Sequence, residues 1–443
     1  LINQLYQNIF WGQRGNYLEV PTDCPQRDER LGWMGDAQVF VRTAAFNSDV
    51  RWFMDKWLTE VRDAQTPEGA FPDVAPKILV TNDGSPGWGD AGAIVPWQLY
   101  LMYGDRRLLE RSYESMRRWV DYLDKANPDH LWINRRGNDY GDWLNIEAET
   151  PKEVLATAYF ARSARIVSQA AAVLGRSADS AKYDALYRDI VAAFRKAYVS
   201  ADGVVKGDTQ TGYLLAIQFG LLTPRTRAQA TERLLEDIVV KRSGHLSTGF
   251  LGVSALAPVL SSVSADDVAY RLLLNESFPS WGYSIKQGAT TIWERWDGWT
   301  EQKGFQDPGM NSFNHYAFGS VGEWLYANIA GIDSDPTGPG FKKILIRPTP
   351  GGGISWTKAR YDSVRGRIET SWRVRGKALS LDITIPANTS ALVFVPAERA
   401  EDVIEGDVQA SASPGVTVAR MEPGRAVFRV GGGRYRFRSK MPS

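Results

Sequence analysis

Residues 20–36 read Val20-Pro21-Thr22-Asp23-Cys24-Pro25-Gln26-Arg27-Asp28-Glu29-Arg30-Leu31-Gly32-Trp33-Met34-Gly35-Asp36. Two prolines and two glycines interrupt any regular helix across most of this run, so the spacing predicts a loop opening into a helix near Asp36. Four carboxylates (Asp23, Asp28, Glu29, Asp36), Arg27, Arg30 and Trp33 crowd into it. The plain alternative is a solvated connection with surface ion pairs. Against that, glycines and Trp33 lie among the charges, and a second carboxylate–tryptophan cluster, Trp293-Glu294-Arg295-Trp296-Asp297, occurs far downstream. Loops on a rigid scaffold are where binding and catalytic groups concentrate.

Downstream of Asp36 the pattern is mostly helical up to Ile329. Helices are expected at 1–11, 36–46, 48–64, 91–103, 105–126, 153–174, 178–199, 209–220, 224–240, 248–260, 264–275 and 313–329. Ser48 is expected to cap a helix burying Phe53, Trp57 and Val61, and Thr223-Pro224 reads as an N-cap followed by proline at the first helical position. Trp52, Trp57, Trp119 and Trp324 sit at helical spacing and are expected in the core. A dozen helices joined alternately by short and long connections fit an α/α barrel, one ring of helices inside another.

The long connections 66–90, 128–152 and 276–312 are rich in Trp, Gly, Asp and Asn. Long irregular connections in a compact domain are usually functional. They carry Trp88, the Tyr140-Gly141-Asp142-Trp143 run and Glu294. Gathered at one end of a barrel, they would form one aromatic and acidic pocket.

After Gly331 the pattern changes. Asp335-Pro336-Thr337-Gly338-Pro339-Gly340 reads as a linker, and short alternating runs follow at Lys343–Arg347, Val364–Arg375, Leu379–Ile385, Ala391–Val395, Ala426–Val430 and Tyr435–Arg438. The chain is therefore read as mainly α: a barrel domain over 1–333, then an antiparallel β-sandwich domain over 334–443.

Composition narrows the function. With 443 residues the chain can bury a large core. Fifty-two basic residues face 51 acidic ones, without a block of like charge, so nothing points to a nucleic-acid or membrane-surface partner. No apolar run approaches the length of a membrane span. Cys24 is the single cysteine and the three histidines are scattered, an arrangement that argues against a zinc or iron site; Cys24 reads as a small buried thiol. Sixteen tryptophans leave two uses open, core packing and stacking on apolar sugar faces.

If Glu29 and Glu294 face each other across the pocket, they are the equipment of glycoside hydrolysis: one carboxylic acid for the leaving oxygen and one carboxylate on the opposite face. Burial and like charge would keep one of them protonated. Asp23, Asp36 and Asp142 can accept hydrogen bonds from sugar hydroxyls, Arg27 can donate them, and Trp33, Trp88 and Trp143 supply stacking walls. Asp28 and Arg30 are assigned to structural ion pairing.

The run from Asp23 to Asp36 resembles the signature of the α-L-rhamnosidases of glycoside hydrolase family 78. The likeness continues through Gly141-Asp142-Trp143, Ser247-Thr248-Gly249-Phe250, Thr291-Ile292-Trp293-Glu294 and Asn314-His315-Tyr316, and into the tail from Gly340-Phe341 to Ser363-Val364. The resemblance implies an (α/α)6 barrel, inverting hydrolysis of terminal α-L-rhamnosides in rhamnose-containing glycosides or oligosaccharides, and neither metal nor organic cofactor. By motif position Glu29 corresponds to the general acid and Glu294 to the general base. Asp23, Arg27, Trp33, Asp36, Trp88, Trp143 and His315 match positions around the sugar, whereas Asp142 is added from the loop itself. His315 also reads as a structural histidine, and Asp36 as a helix N-terminal charge. Family members usually carry further β-domains before the barrel, and this chain opens on the barrel's first helix, so the expectation is either that upstream domains of a longer parent chain were removed or that this is a reduced form. The compartment is left open. Two competing readings are another helical-barrel carbohydrate enzyme, either a different exo-glycosidase or a lyase, and a non-catalytic sugar-binding protein on the same fold.

Overall fold

The computed structural model of the protein describes residues 1–78, 83–133 and 139–442. Parts of two long connections, 79–82 and 134–138, lie outside the described residues. The chain divides into two compact units: Leu1–Gln98 with Arg106–Val321, and Leu99–Asp105 with Gly322–Ser443.

The first unit is helical. In order come α1 (Ile2–Asn16), α2 (Met34–Asn47), α3 (Arg51–Asp63), α4 (Ala91–Tyr103), α5 (Arg106–Ala126), α6 (Lys152–Leu174), α7 (Ser177–Tyr198), α8 (Gln210–Gln218), α9 (Pro224–Glu236), α10 (Phe250–Ser262), α11 (Asp266–Leu274) and α12 (Trp281–Lys286). Burial alternates along this series. In α2, α6, α8 and α10 most side chains are buried, on more than one face, and the run Ala317–Val321 is buried throughout. In α1, α3, α5, α7 and α9 only one stripe is buried, such as Met54, Trp57, Leu58 and Val61 on α3. A helix apolar on all sides must be enclosed, whereas a striped one covers it with its apolar face and meets water with the other. This is the inner and outer ring that the sequence pattern called for.

Local details refine that pattern. Thr223 caps α9 through a reciprocal capping box with Thr226, with Pro224 at the first helical position. Ser48 does not cap α3: it closes α2, while Val50 precedes Arg51 and the Asp49 carboxylate accepts the Arg51 N–H. Trp57, Trp119 and Trp324 are fully buried, but Trp52 is 62% exposed beneath the Arg51 guanidinium, so it belongs to the surface, not the core. The segment expected as one helix over 313–329 is a 3-10 run, a single α turn and a π turn in succession. Short α12 lies inside the connection 276–312, where Ser280 caps it.

The second unit holds two sheets. One is antiparallel, in the order 408–409, 404–405, 433–440, 378–385, 366–375, 356–363; the other runs 416–422, 425–430, 390–396, 343–346, 332–334. Strands Lys343–Ile346 and Ser390–Pro396 lie parallel, an exception in a unit otherwise paired antiparallel. Alternation sets the inner faces, as in Leu379, Leu381, Ile383 and Ile385, and Phe428 of one sheet stacks on Phe437 of the other at 5.6 Å. Residues 335–340 form the turn between paired strands Ile332–Ser334 and Lys343–Ile346, so they are not an interdomain linker. Strand Trp356–Ser363 went unforeseen because all its residues but Tyr361 are exposed or half-buried, with little apolar signal.

Candidate active site

The loop leading into α2 is held from both ends. Asp23 and Leu31 pair backbone to backbone, with Asp23 N–H donating to Leu31 C=O at 3.0 Å, and Leu31 N–H donates to the Asp23 carboxylate at 2.8 Å. On the far side Ala75 N–H reaches Gly32 C=O at 3.0 Å, and Met34 N–H reaches Asp73 C=O at 2.9 Å. A Cβ on Gly32 would sit 2.2 Å from the Ala75 oxygen, which is why this position holds glycine. Glu29 and Arg27 are thereby presented on a pinned loop, with Arg27 side chain 15% and Glu29 side chain 26% exposed.

A second pinned segment brings Glu294. His315 N–H donates to Ile292 C=O at 2.8 Å, Glu294 N–H donates to Ser312 C=O at 2.9 Å, and Gln26 Nε2 donates to Ser312 Oγ at 2.8 Å across the two loops. Glu294 is 3% exposed. The Arg27 guanidinium joins the two acids. Its Nε donates to Glu29 Oε2 at 2.9 Å and its Nη2 also reaches that oxygen; Nη1 donates to Glu294 Oε2 at 3.1 Å and Nη2 to Oε1 at 3.3 Å. Two carboxylates 265 positions apart in sequence thus stand on either side of one planar fork. Trp33 Nε1 donates to the other Glu29 oxygen at 2.8 Å. Burial opposes ionisation of Glu29, but hydrogen bonds and charge from Arg27 outweigh it and hold the carboxyl below its ordinary range.

Behind this pair lies a buried layer. Asp23 is 2% exposed, and burial, then Glu29 and then Asp36, push its carboxyl up to about 7. His315 Nε2 meets Asp36 Oδ1 at 3.0 Å, both side chains being buried. Its Nδ1 accepts from Tyr316 N–H at 2.8 Å and Ala317 N–H at 3.1 Å, which places the ring proton on Nε2. Asp36 raises the imidazole's affinity for a second proton, yet the position that proton would take is filled by two N–H donors. Asp36 is also in the first turn of α2, so both its readings describe real contacts. Cys24 is a buried free thiol, and burial drives its pKa far up. Donor atoms of Cys24, Glu294 and His315 fall within 4.8 Å of one another, as do those of Asp23, Cys24 and Glu29. Neither group is a prepared metal cage: the thiol is held protonated, both His315 nitrogens are engaged, and Arg27 already occupies Glu29 and Glu294.

The aromatic wall centres on Tyr140, which sequence reasoning quoted but did not single out. Its ring lies 5.7 Å from Trp33, 4.5 Å from Trp88 and 5.8 Å from Trp143, and its hydroxyl donates to Asp73 at 2.7 Å. The Trp–Gly–Asp density of 66–90 and 128–152 was the available signal, but a tyrosine beside two more prominent residues carries none of its own. Trp88 is buried against Gly35, where a Cβ would sit 2.4 Å from the indole, and its Nε1 has no acceptor among the described residues. Trp143 is half-buried. Asp142 stands apart from the pair's chemistry: Thr211 Oγ1 and the N–H groups of Gly249 (2.7 Å), Leu251 (2.9 Å) and Gly252 (3.0 Å) engage both its oxygens. It sits on the N-terminus of α10, where exposed N–H groups and the helix dipole favour a carboxylate. Exposed Asp28 and Arg30 pair with each other at 3.6 Å.

Paired inner and outer helices, with an acid pair on their connecting loops, define the six-hairpin glycosidase class of fold. The model of the bacterial alpha-L-rhamnosidase 6 hairpin glycosidase domain matches residues 1–329, and that of the bacterial alpha-L-rhamnosidase C-terminal domain matches 331–409. The chain belongs to the bacterial α-L-rhamnosidase family. It is 49% identical over 437 residues to the α-L-rhamnosidase of Streptomyces avermitilis, covering 99% of this chain and 41% of that protein. An α-L-rhamnosidase of Formosa agariphila is 42% identical over 411 residues, 91% of this chain and 44% of the relative. The crystal structure of the Streptomyces avermitilis α-L-rhamnosidase complexed with L-rhamnose superposes with a TM-score of 0.93 at 48% identity, again over 99% of this chain and 41% of that one. The native Aspergillus terreus enzyme gives 0.88 at 32% identity, over 99% and 49%. The chain thus spans less than half the length of the curated relatives it matches.

Proposed function

We propose that this chain carries the catalytic centre of a hydrolase that removes terminal non-reducing α-L-rhamnose with inversion, Glu29 acting as general acid and Glu294 as general base. The observation that carries the reading is Arg27 bridging the two glutamates beside the Trp33–Tyr140 aromatic cluster. One guanidinium between two carboxylates is the kind of gap that inversion needs, since a sugar ring and a water must fit between acid and base (about 6.5–9.5 Å between carboxyls). The sugar identity comes from the relatives: four curated proteins named α-L-rhamnosidase match across 89–99% of the chain.

In this reading, arrival of the sugar draws Arg27 off Glu29 and onto sugar hydroxyls. Glu29, freed of its cation, takes up a proton and delivers it to the leaving oxygen. Glu294 removes a proton from water on the opposite face as the anomeric bond breaks. Trp33 fixes Glu29 by its indole N–H, and Tyr140 and Trp143 enclose the ring, with buried Trp88 packed behind Tyr140. Asp36 and His315 support the floor beside Glu294. Asp142 enters as the anchor that aims Trp143, because its oxygens are already engaged.

The test is hydrolysis of p-nitrophenyl α-L-rhamnopyranoside by the parent, Glu29→Gln and Glu294→Gln. The expected result is release by the parent and a fall in kcat of at least about 100-fold in both variants, the scale of losing acid–base catalysis. Variants that melt like the parent and keep its rate would overturn the assignment.

A further inference from the structure

The free site leaves a proton unaccounted for. One guanidinium, Arg27, faces Glu29 and Glu294, and two more carboxyls, Asp23 and Asp36, are buried behind them. His315 adds no positive charge, because its Nδ1 accepts two N–H groups. Buried charge without a partner is costly, so a cluster this rich in acid holds at least one proton. Glu29 has Arg27 and Trp33 donating to it, Glu294 has Arg27, and Asp36 has His315. Asp23 has only backbone N–H groups, those of Leu31 and Cys24, and among the described residues no cation in contact, while its carboxyl lies within 4.8 Å of Glu29. The groups facing Asp23 are Glu29 on its own loop, Asp36 on α2 and His315 on the segment beyond Glu294, with the Cys24 thiol adjoining.

From this geometry we propose that Asp23 is a positioning residue that stores the proton Glu29 delivers to the leaving oxygen. The proposal rests on the acid and base roles given above. In the free site the Asp23 O–H donates to the Glu29 carboxylate. When Arg27 withdraws, the proton crosses from Asp23 to Glu29, giving an Asp23 carboxylate and a Glu29 carboxylic acid. Glu29 then passes it to the glycosidic oxygen as the C–O bond breaks, and the attacking water's proton goes to Glu294. Release of that proton from Glu294 to solvent and uptake of one by Asp23 restore the starting state. The raised Asp23 pKa, about 7, fits a group that is protonated in the free site and exchanges its proton near neutrality. The lowered Glu29 pKa fits a carboxylate that stays ionised while Arg27 is bound and accepts the proton once Arg27 withdraws.

Asp23→Asn keeps the oxygen that accepts Leu31 N–H but offers Glu29 a permanent donor and no transferable proton. On an alkyl α-L-rhamnoside, whose poor leaving group needs an acid, kcat is expected to fall at least about tenfold at pH 7. The alkaline limb of its pH profile is expected to move to lower pH. On 2,4-dinitrophenyl α-L-rhamnoside, which leaves without protonation, the fall in kcat is expected to be at least about fivefold smaller than on the alkyl rhamnoside. Equal losses on both substrates, or an unmoved alkaline limb, would overturn the proposal. A second readout needs no substrate: the infrared difference between parent and Asp23→Asn at pH 6, in which the common Asp73 contribution cancels, is expected to show a protonated-carboxyl band that titrates near neutrality and belongs to the parent alone. Absence of that band in the parent, or its persistence in the variant, would equally overturn it. If no rhamnoside is cleaved by the parent, the assigned activity fails and the infrared band still decides where the proton resides.

Discussion

At the residue scale, one arginine organises the site, and its consequences reach stability as well as chemistry. Asp23 has a native pKa near 7 against about 3.9 in an unfolded chain. The native state therefore binds this proton more tightly, and the stability it contributes is present at low pH and lost as pH rises through about 4 to 7. Asp73, raised to about 6 chiefly by burial, acts in the same direction. An amide at position 23 has no charge to bury. The melting temperature of Asp23→Asn relative to the parent is thus expected to climb between pH 5 and pH 8, as scanning calorimetry would show; a constant difference would refute the raised pKa. Most of this site was legible in the sequence, because Glu29, Arg27 and Trp33 share one run and Glu294 sits in a second Trp-rich one. The Arg27 bridge was not, since nothing in either run records that their loops meet. Tyr140 was hidden for the same reason: its importance is its position among three tryptophans drawn from separate connections.

At the element scale, helix ends place the loops. The N-terminus of α10 grips Asp142, and Phe250 N–H donates to Trp143 C=O at 2.9 Å, so the aromatic loop is aimed by a helix it does not belong to. Gly249 permits that approach, since a Cβ there would lie 2.2 Å from the Trp143 oxygen. Gly249→Ala is expected to cost about 1–3 kcal/mol through forced backbone displacement, with a matching drop in melting temperature and in rhamnoside hydrolysis. Asp142→Ala, which strands three backbone donors, is expected to lower melting temperature and activity together, by about 1–3 kcal/mol for the groups left unsatisfied. Lost activity with unchanged melting would instead make Asp142 a sugar contact. The helices themselves were largely readable because inner ones are apolar all round and outer ones are striped. Misreadings fell where local signals conflict with context: Ser48 is a good capping residue that tertiary structure uses at the other helix end, and Trp52 keeps helical spacing while facing water. The irregular turns after His315 follow no single period, so a 3.6-residue pattern joined them into one helix.

At the scale of the whole molecule, two family domains follow one another along a chain with a formal charge of +1. No helix among the described residues is long and apolar enough to cross a membrane. The change from helical to alternating patterning near Gly331 was visible because the two periods differ. The parallel pairing of Lys343–Ile346 with Ser390–Pro396 was not, because periodicity fixes faces and leaves strand order open. What unites the scales is a pair of glutamates, Glu29 and Glu294, bridged by Arg27 on loops positioned by buried helices. The most direct measurement is proton NMR of the sugar first released from p-nitrophenyl α-L-rhamnopyranoside, recorded before mutarotation. The expected first product is β-L-rhamnose. Appearance of α-L-rhamnose first, or no rhamnose from the folded protein, would contradict the paired roles of Glu29 and Glu294.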